Sequence, residues 1–524
     1  MPDSTTAAKT TAAGRLASIS SDGSRRWWAL VAVSLAAFMT YLDNNIVNVA
    51  IPTIQRSLHL SVSGLEWVVS SYLLTLAALL LVGGRLADVY GRRRLLLLGL
   101  AVFTLSSLAA GLATSGSVLI ASRAIQGIGA ALLMPPTLAI IVATFTNVRE
   151  RNMAVGIWAA VGALALALGP VLGGLISQHV RWGWIFLINV PVGVITFAIA
   201  ALSVSESRAS SGVRRLDLPG LLTSAVSLFA LTYALIEGSV RGWTTPLILG
   251  AFALAAVAAA AFGAIESRTA DPMVPLSMFR RREFSGGTGT MMIWAFGILG
   301  IYFFTSLYLQ LILGFSPVRA GLAFVPMALC VAVFAGIAPR VQGWAGAHRT
   351  VAFGMLLMVV GLVLFARLGL HAGYAGLLPG FMLFGAGAGL MNVPLTNAVM
   401  HATPPARAGI ASALLNASRE VAGLLGITVI GAVLRTRQSA ALHAGAGPVH
   451  AFVDGYHAGL LVTIGLLAVG VLVSYLTLRP RAGTAATAPQ SAAAGEPITV
   501  DELAGELVVA GELAVAVNRT SSPE

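Results

Sequence analysis

Long apolar runs separated by short polar stretches make up most of the chain. A helix needs about 20 mostly apolar residues to cross the roughly 30 Å hydrocarbon core of a bilayer. By that measure the sequence predicts fourteen spans, at residues 27–51, 64–84, 94–113, 117–145, 153–177, 183–204, 218–238, 246–266, 284–313, 318–339, 350–370, 374–401, 408–434 and 455–478. We therefore expect an all-α polytopic membrane protein.

The composition agrees with this prediction. Of the 524 residues, 57% are hydrophobic and only 10% are charged, whereas soluble domains carry about 25% charged residues. The net charge of +12 comes from arginines in short loops, so it does not indicate nucleic-acid binding. The single cysteine, Cys330, excludes an intrachain disulfide.

The basic residues also predict the orientation in the membrane. If residues 1–26 form a cytoplasmic tail, most of the lysine and arginine residues fall on the cytoplasmic side, as the positive-inside rule requires. The opposite side receives Arg56, Arg181, Arg241, Arg319, Arg435 and Arg437. Residues 1–26 lack an apolar segment, which favours a tail over a signal peptide. Residues 480–524 are then a second cytoplasmic tail.

The turn between the second and third spans combines glycines with charge. It reads Gly84-Arg85-Leu-Ala-Asp88-Val-Tyr-Gly91-Arg92-Arg93-Arg94. Glycine permits the tight reversal, and Asp88 is placed either to pair with an arginine or to cap the next helix. The stretch resembles the signature loop of the major facilitator superfamily, although Val89 stands where that family usually has a basic residue. The resemblance implies a cytoplasmic gating loop made by Gly84, Arg85, Asp88, Gly91, Arg92 and Arg93.

A weak internal repeat indicates two related halves. Gly84 and Gly91 recur as Gly336 and Gly343. A second set, Gly127, Gly129 and Pro136, recurs at a similar offset as Gly385, Gly387 and Pro394. Transporters are often built from such repeats. We expect six-helix bundles at 27–204 and 284–479, with a two-helix insert and its loops at 205–283; this plan resembles the fourteen-helix drug:proton antiporters of the superfamily.

The first span contains a polar stripe and an acid. Thr40, Asn44 and Asn48 share one helix face, with Asp43 at its edge. A carboxylate inside a membrane marks a functional site, although an interhelical hydrogen bond is the alternative explanation. The stretch resembles the first-helix motif of the antiporters, with Asn45 in place of their usual threonine. That resemblance implies that Asp43 binds a proton or a cation.

The fourth span carries Arg123 and Gln126 beside two glycines. Snorkelling to the membrane surface would explain Arg123 simply, but a buried cation costs about 2.5–3.5 kcal/mol on insertion scales. The neighbouring glycines favour close helix packing instead. The segment resembles the helix-4 motif of the superfamily, whose arginine is implicated in proton transfer.

The fifth span repeats small residues along one face. Gly162, Gly169 and Gly173 lie together, with Pro170 and Gly174 beside them. Helix packing alone would explain such a groove, and the proline permits a bend. The string resembles the antiporter motif that exporters of the superfamily carry and that its importers generally lack.

The thirteenth span contains Arg419 and Glu420. Adjacent helical residues point about 100° apart, so we expect one to line a cavity and the other to pair with a neighbouring helix. Glu420 is a candidate second protonatable site. For Glu66 and Glu237, near the outer ends of their spans, simple solvation is the expectation.

No motif indicates an enzyme. Lys9 is the only lysine, so the chain has no lysine-containing phosphate loop, and we expect no catalytic residues, metal or cofactor. The resemblance predicts a proton-coupled antiporter that exports hydrophobic drugs or antibiotics across the cytoplasmic membrane; a proton-coupled importer of a small solute is the alternative. The expected partners are the small compound, protons and the lipid bilayer, without nucleic acid or an obligate protein partner.

Overall fold

A computed structural model describes residues 22–208, 217–269, 272–369, 373–404 and 408–479. Within these ranges it contains fourteen helices that are long and apolar enough to cross a membrane. They are α1 Asp22–Leu58, α2 Val62–Tyr90, α3 Arg92–Gly111, α4 Gly116–Thr144, α5 Val148–His179, α6 Trp184–Ser203, α7 Leu218–Arg241, α8 Pro246–Arg268, α9 Arg282–Ile312, α10 Pro317–Ala345, α11 Ala347–Ala366, α12 Tyr374–His401, α13 Ala408–His443 and α14 Pro448–Thr477. The predicted all-α class and the number of spans are confirmed, and the chain is a multi-pass membrane protein.

Several helices are longer than the apolar runs that predicted them. α1 begins at Asp22, and α13 continues to His443. Once the backbone hydrogen bonds of a helix are established, polar residues extend it beyond the hydrocarbon at little cost. For these two helices the apolar run therefore underestimates the length.

Three of the spans are irregular. α6 is interrupted at Ile188, and α10 at Phe324. α9 ends in a π-helical turn, Tyr308–Ile312. Irregular backbone is tolerated at membrane depth where protein or water satisfies its polar groups, and π turns are frequent near functional sites.

Contacts between helix ends define two faces of the molecule. At the face where α1 begins, here called the first face, Arg26 pairs with Glu150 at the start of α5 at 2.8 Å. Arg25 there donates to the carbonyl of Ser203 at the end of α6. At the opposite, second face, Trp182 donates to Ser57 near the end of α1. Odd-numbered helices of this region thus run from the first face to the second.

One of the two predicted repeats occupies matching positions. A Cβ at Gly127 would press on the backbone of Tyr72 in α2, and one at Gly385 on the backbone of Met327 in α10. A Cβ at Gly129 would likewise press on the backbone of α3, and one at Gly387 on the backbone of α11. Close backbone contact of this kind requires small residues.

The other repeat has the wrong register. Gly91 turns the chain between α2 and α3 with φ of 115°, and the corresponding turn between α10 and α11 uses Gly346, with φ of 80°. Gly343, matched to Gly91 from the sequence, lies inside α10. Glycine is abundant in this chain, so spacing alone selected a helical glycine three positions too early.

The remaining packing places α7 and α8 beside the other helices. They contact each other, and α7 also packs on α2 and α13. α5 packs along α1 and touches the first turns of α10. Because lipid is as apolar as these side chains, such contacts depend on close fit and polar bonds more than on the hydrophobic effect.

Candidate functional site

A buried ion pair joins α1 to α4. Oδ2 of Asp43 lies 2.5 Å from Nη1 of Arg123, and both side chains are 0% exposed. The Nε of Arg123 donates to the carbonyl of Val68 in α2. The structure therefore brings together the two charged residues that the sequence singled out in the first and fourth spans, and Arg123 does not snorkel.

Amides and hydroxyls complete this site. Gln126 receives a hydrogen bond from Arg123 at 2.7 Å and donates to Oδ1 of Asp43 at 2.8 Å. Asn189 of α6 donates to the same oxygen at 3.1 Å, and Gln126 also donates to Ser107 of α3. Residues of α4 and α6 thus orient one carboxylate, and both of its oxygens accept hydrogen bonds.

Three residues of this site, Asn189, Ser107 and Tyr72, were not predicted from the sequence. Arg123 lies over the Tyr72 ring, 4.2 Å from its centroid. The Tyr72 hydroxyl is buried and has no hydrogen-bond partner among the described residues. A lone amide or hydroxyl in an apolar run is the signal that could have identified Asn189 and Tyr72.

The electrostatics of the site make Asp43 a sensitive position. The paired charges are neutral together, whereas either one alone would be a buried ion in a low-dielectric region. Protonation of Asp43 would leave Arg123 uncompensated, and Nη2 of Arg123 already lacks a hydrogen-bond partner in the described part of the chain. Asp43 and Arg123 therefore depend on each other for charge compensation.

The polar stripe of α1 is satisfied mainly within that helix. Thr40 donates to the carbonyl of Ala36, and Asn48 donates to the carbonyl of Asn44. Asn44 is only half-buried, and Oδ1 of Asn48 has no partner within the described ranges. The stripe lies beside Asp43 in the helix but does not hydrogen-bond to it.

Arg419 and Glu420 pair with each other, at 2.8 Å. The long guanidinium side chain of Arg419 folds back to its neighbour Glu420. That one of the two lines a cavity while the other pairs with a neighbouring helix stays a prediction. Arg419 also lies close to Tyr41 of α1. This contact connects the thirteenth helix to the helix that carries Asp43.

The glycine face of α5 lies against α1. A Cβ at Gly169 would lie 2.6 Å from Cβ of Asn45, and one at Gly162 would lie 3.2 Å from the ring of Tyr41. A Cβ at Gly173 would press on the backbone of Ile46. Gly174 beside it faces α10, where its Cβ would lie 2.9 Å from the carbonyl carbon of Pro317. The predicted groove exists, and it fits the helix that carries Asp43.

The loop after α2 is held by charge. Asp88 accepts from Arg92 at 3.0 Å, so it pairs with an arginine and does not cap α3. Arg93 donates to the carbonyl of Ala201 at the end of α6. Arg85 donates to the carbonyl of Pro272, which precedes α9. A Cβ at Gly91 would lie 2.5 Å from the carboxylate of Glu206, while Gly84 lies inside α2.

Glu66 is not solvated, contrary to the sequence expectation. Its side chain is 0% exposed and forms an ion pair with Arg435 of α13. Glu237 also has protein partners, since it accepts hydrogen bonds from Trp67 and from Arg241. Position near the end of a span does not reveal whether another helix covers it.

Comparison with known proteins agrees with the fold and the sequence motifs. Residues 33–427 match the Major Facilitator Superfamily. The chain is 38% identical to the "Multidrug resistance protein Stp" of Mycobacterium tuberculosis, covering 79% of this chain and 76% of the relative. It is 35% identical to the "Puromycin resistance protein pur8" of Streptomyces alboniger, covering 86% and 90% of the two chains.

A solved structure shares the fold at low identity. The bacterial homolog of the human lysosomal transporter Spinster superposes with a TM-score of 0.62 at 17% identity, covering 87% of this chain and 97% of that one. The identity is too low to carry more than the fold. From the family match and the two relatives, the chain belongs to the Major Facilitator Superfamily.

Proposed function

We propose that this protein is a proton-coupled antiporter that exports hydrophobic drugs or antibiotics across the cytoplasmic membrane by alternating access. The observation that carries the proposal is the fully buried carboxylate of Asp43, neutralised by Arg123 and oriented by Gln126 and Asn189. An intramembrane acid whose protonation breaks an ion pair is suited to couple proton movement to a change of conformation.

The relatives support the direction and the class of substrate. Two of them are named for multidrug and puromycin resistance, and a third, 35% identical over 79% of this chain, is named "Tetracenomycin C resistance and export protein" of Streptomyces glaucescens. Resistance by transport requires outward movement of an organic compound. The glycine groove of α5, which resembles the antiporter motif, points the same way.

The moving parts are the two proposed bundles, 27–204 and 284–479, and the first face is cytoplasmic by the distribution of arginines. Hydrogen bonds join these bundles near the second face. Ser306 donates to the carbonyl of Asn48, Gln310 to that of Val49, and the backbone of Val318 to Gln178. We infer that this conformation is closed toward the outside, as in the cytoplasm-facing state of an exporter.

The proton is proposed to act on Asp43 and Glu420. Glu420 is 8% exposed and is the more accessible of the two carboxylates. The ring of Tyr72 lies under Arg123, and its buried hydroxyl has no hydrogen-bond partner among the described residues. We infer that this hydroxyl takes part in a proton relay beside Asp43. Each charge that crosses a potential of about 100 mV supplies about 2.3 kcal/mol, which is enough to bias the two states.

Transport in everted vesicles tests the proposal. In inside-out membranes the cytoplasmic side faces the medium, so an exporter accumulates a fluorescent hydrophobic dye when the membrane is energised. A proton-coupled importer, the alternative function, would instead not accumulate the dye under these conditions. The matched control is Asp43→Asn at equal expression. Accumulation that persists at the full rate after the proton gradient is collapsed would contradict the proposal.

A further inference from the structure

Arg435 on α13 connects three parts of the molecule at the second face. Its Nη1 is paired with Glu66 on α2, in the bundle 27–204. Its Nε donates to the hydroxyl of Ser239 on α7 at 2.5 Å, and its Nη2 donates to the carbonyls of Ile236 at 3.1 Å and Leu235 at 3.3 Å. All three guanidinium nitrogens are thus engaged, on two different neighbouring helices.

The contact is built into the packing of these helices. Arg435 has 10% of its side chain exposed and Glu66 none. One turn before Arg435, α13 has Gly431, where a Cβ would lie 2.7 Å from the carboxylate carbon of Glu66. The glycine therefore makes room for Glu66, and any larger residue at that position would displace it.

The insert helix α7 is fixed on both sides of this pair. Trp67, next to Glu66, donates to Glu237 of α7 at 3.1 Å. Trp243, just after α7, donates to Thr436, next to Arg435, at 3.3 Å. The last turn of a helix carries partial negative charge, which favours a cation such as Arg435 at this position. The end of α7 and Trp243 just after it thus contact both bundles at the second face.

We propose that Glu66, Arg435 and the α7 residues Leu235, Ile236 and Ser239 form an outer gate that holds the second face closed. In this gate, α7 of the insert positions Arg435 against Glu66. The inference rests on the proposed alternating access, and it gives α7 a role in transport. Opening outward requires Arg435 to leave Glu66, so the pair sets the balance between the two states.

A crosslinking assay away from the gate tests this role. Gln178 of α5 and Val318 of α10 are in hydrogen-bond contact across the second face. The pair Gln178→Cys and Val318→Cys, in a Cys330→Ser background, reports closure through the yield of the disulfide. Because neither reporter touches Glu66 or Arg435, a change in yield reflects movement of the bundles and not local damage.

We expect Arg435→Gln and Glu66→Gln each to lower the crosslinking yield about tenfold, because either one removes a buried charge from its partner. Ser239→Ala, which removes one bond from the insert, is expected to lower it about threefold. The control is Arg241→Gln, since the Arg241 side chain is 52% exposed and its ion pair with Glu237 lies within α7. This control is expected to retain the parental yield.

The outcomes separate the gate from the proposed function. Crosslinking is measured without drug and without a proton gradient, so it reads the gate whether or not the protein exports. Parental yields for both Glu66→Gln and Arg435→Gln would overturn the gate, and a parental yield for Ser239→Ala would remove α7 from it. If the Arg435→Gln variant aggregates on gel filtration, the crosslinking yield of the near-isosteric Glu66→Gln variant alone decides whether the gate exists.

Discussion

The carboxylate of Asp43 on α1 and the guanidinium of Arg123 on α4 form an ion pair of 2.5 Å at a position where neither side chain is exposed. In hydrocarbon surroundings the two charges are stable only together. One proton on Asp43 therefore changes the environment of Arg123, and through it the contacts of Tyr72 and Val68.

We expect Asp43→Asn to abolish proton-coupled export. Asparagine has nearly the same volume but carries no charge, so the buried Arg123 loses its counterion. We also expect the free energy of unfolding to fall by about 3–5 kcal/mol, the usual cost of removing one partner of a buried pair. Dye accumulation in energised everted vesicles and thermal unfolding of the purified protein measure the two effects.

The double variant Asp43→Asn with Arg123→Gln separates stability from coupling. It removes both charges, so most of the lost stability should return, because replacing a whole buried pair is often nearly neutral. Export should stay absent, since the acid at position 43 is missing. If the single variant accumulates dye at the wild-type rate, Asp43 is not the coupling acid.

The same region shows how far the sequence could lead. Asp43, Arg123 and Gln126 were identifiable because each is polar in an apolar run, where an unpaired polar group is costly. The pairing of Asp43 with Arg123 was not identifiable from the sequence, since 80 positions separate them and only helix packing brings them together. The number of spans followed from their length, which the bilayer dictates.

The burial of Glu66 and Arg435 could not be predicted from the sequence. Both stand near the ends of spans, where solvation is the usual state of a charged residue. Here α7 covers them and supplies partners for Arg435. Nothing in the sequence around either residue indicates that coverage, because it depends on where an inserted helix packs.

A second prediction concerns Tyr72. We expect Tyr72→Phe to slow export about tenfold or more, as loss of a proton-transfer group does, while the stability stays within about 1 kcal/mol. The ring that supports Arg123 is retained, and the removed hydroxyl has no partner among the residues described. Proton-driven dye transport and thermal unfolding measure the two properties.

Tyr302→Phe is the matched control for Tyr72→Phe. The Tyr302 hydroxyl is also buried and without a partner in the described structure, but its ring lies against that of Phe324, with centroids 4.3 Å apart, and not beside a guanidinium. Its variant should transport normally. Equal export by the Tyr72 variant and this control would argue against a relay.

A third prediction concerns the glycine groove of α5. We expect Gly169→Ala to reduce export severely and to cost about 1–3 kcal/mol of stability, the range for overpacking. The added Cβ would lie 2.6 Å from Cβ of Asn45, so α1 must move away together with Asp43. Growth of a drug-sensitive host at equal expression gives the transport phenotype.

Gly156→Ala on the same helix provides the comparison. A Cβ there would meet no described atom within 4 Å, and alanine is the better helix former by about 1 kcal/mol. This variant should be neutral or slightly stabilising. Full resistance from Gly169→Ala would show that close approach of α1 and α5 is unnecessary for transport.

The last prediction concerns the loop at the first face. Asp88 and Arg92 are partly exposed, at 35% and 19% of their side chains, so their pair is worth about 0–1 kcal/mol in this conformation. From the resemblance of this loop to that of the family, we propose that it acts mainly in the other state and there holds the two bundles together on the cytoplasmic side. Asp88→Asn should therefore favour the cytoplasm-facing state and slow export without unfolding the protein.

The cysteine pair at Gln178 and Val318 measures this shift. A change of about 1 kcal/mol alters the ratio of states about fivefold, so Asp88→Asn should raise the yield of crosslinking, opposite in sign to Arg435→Gln. Glu150→Gln is the control, because its pair with Arg26 is similarly exposed and joins two helices of one bundle. If Asp88→Asn leaves both the crosslinking yield and the export rate at the level of that control, the loop only turns the chain and does not act as a gate.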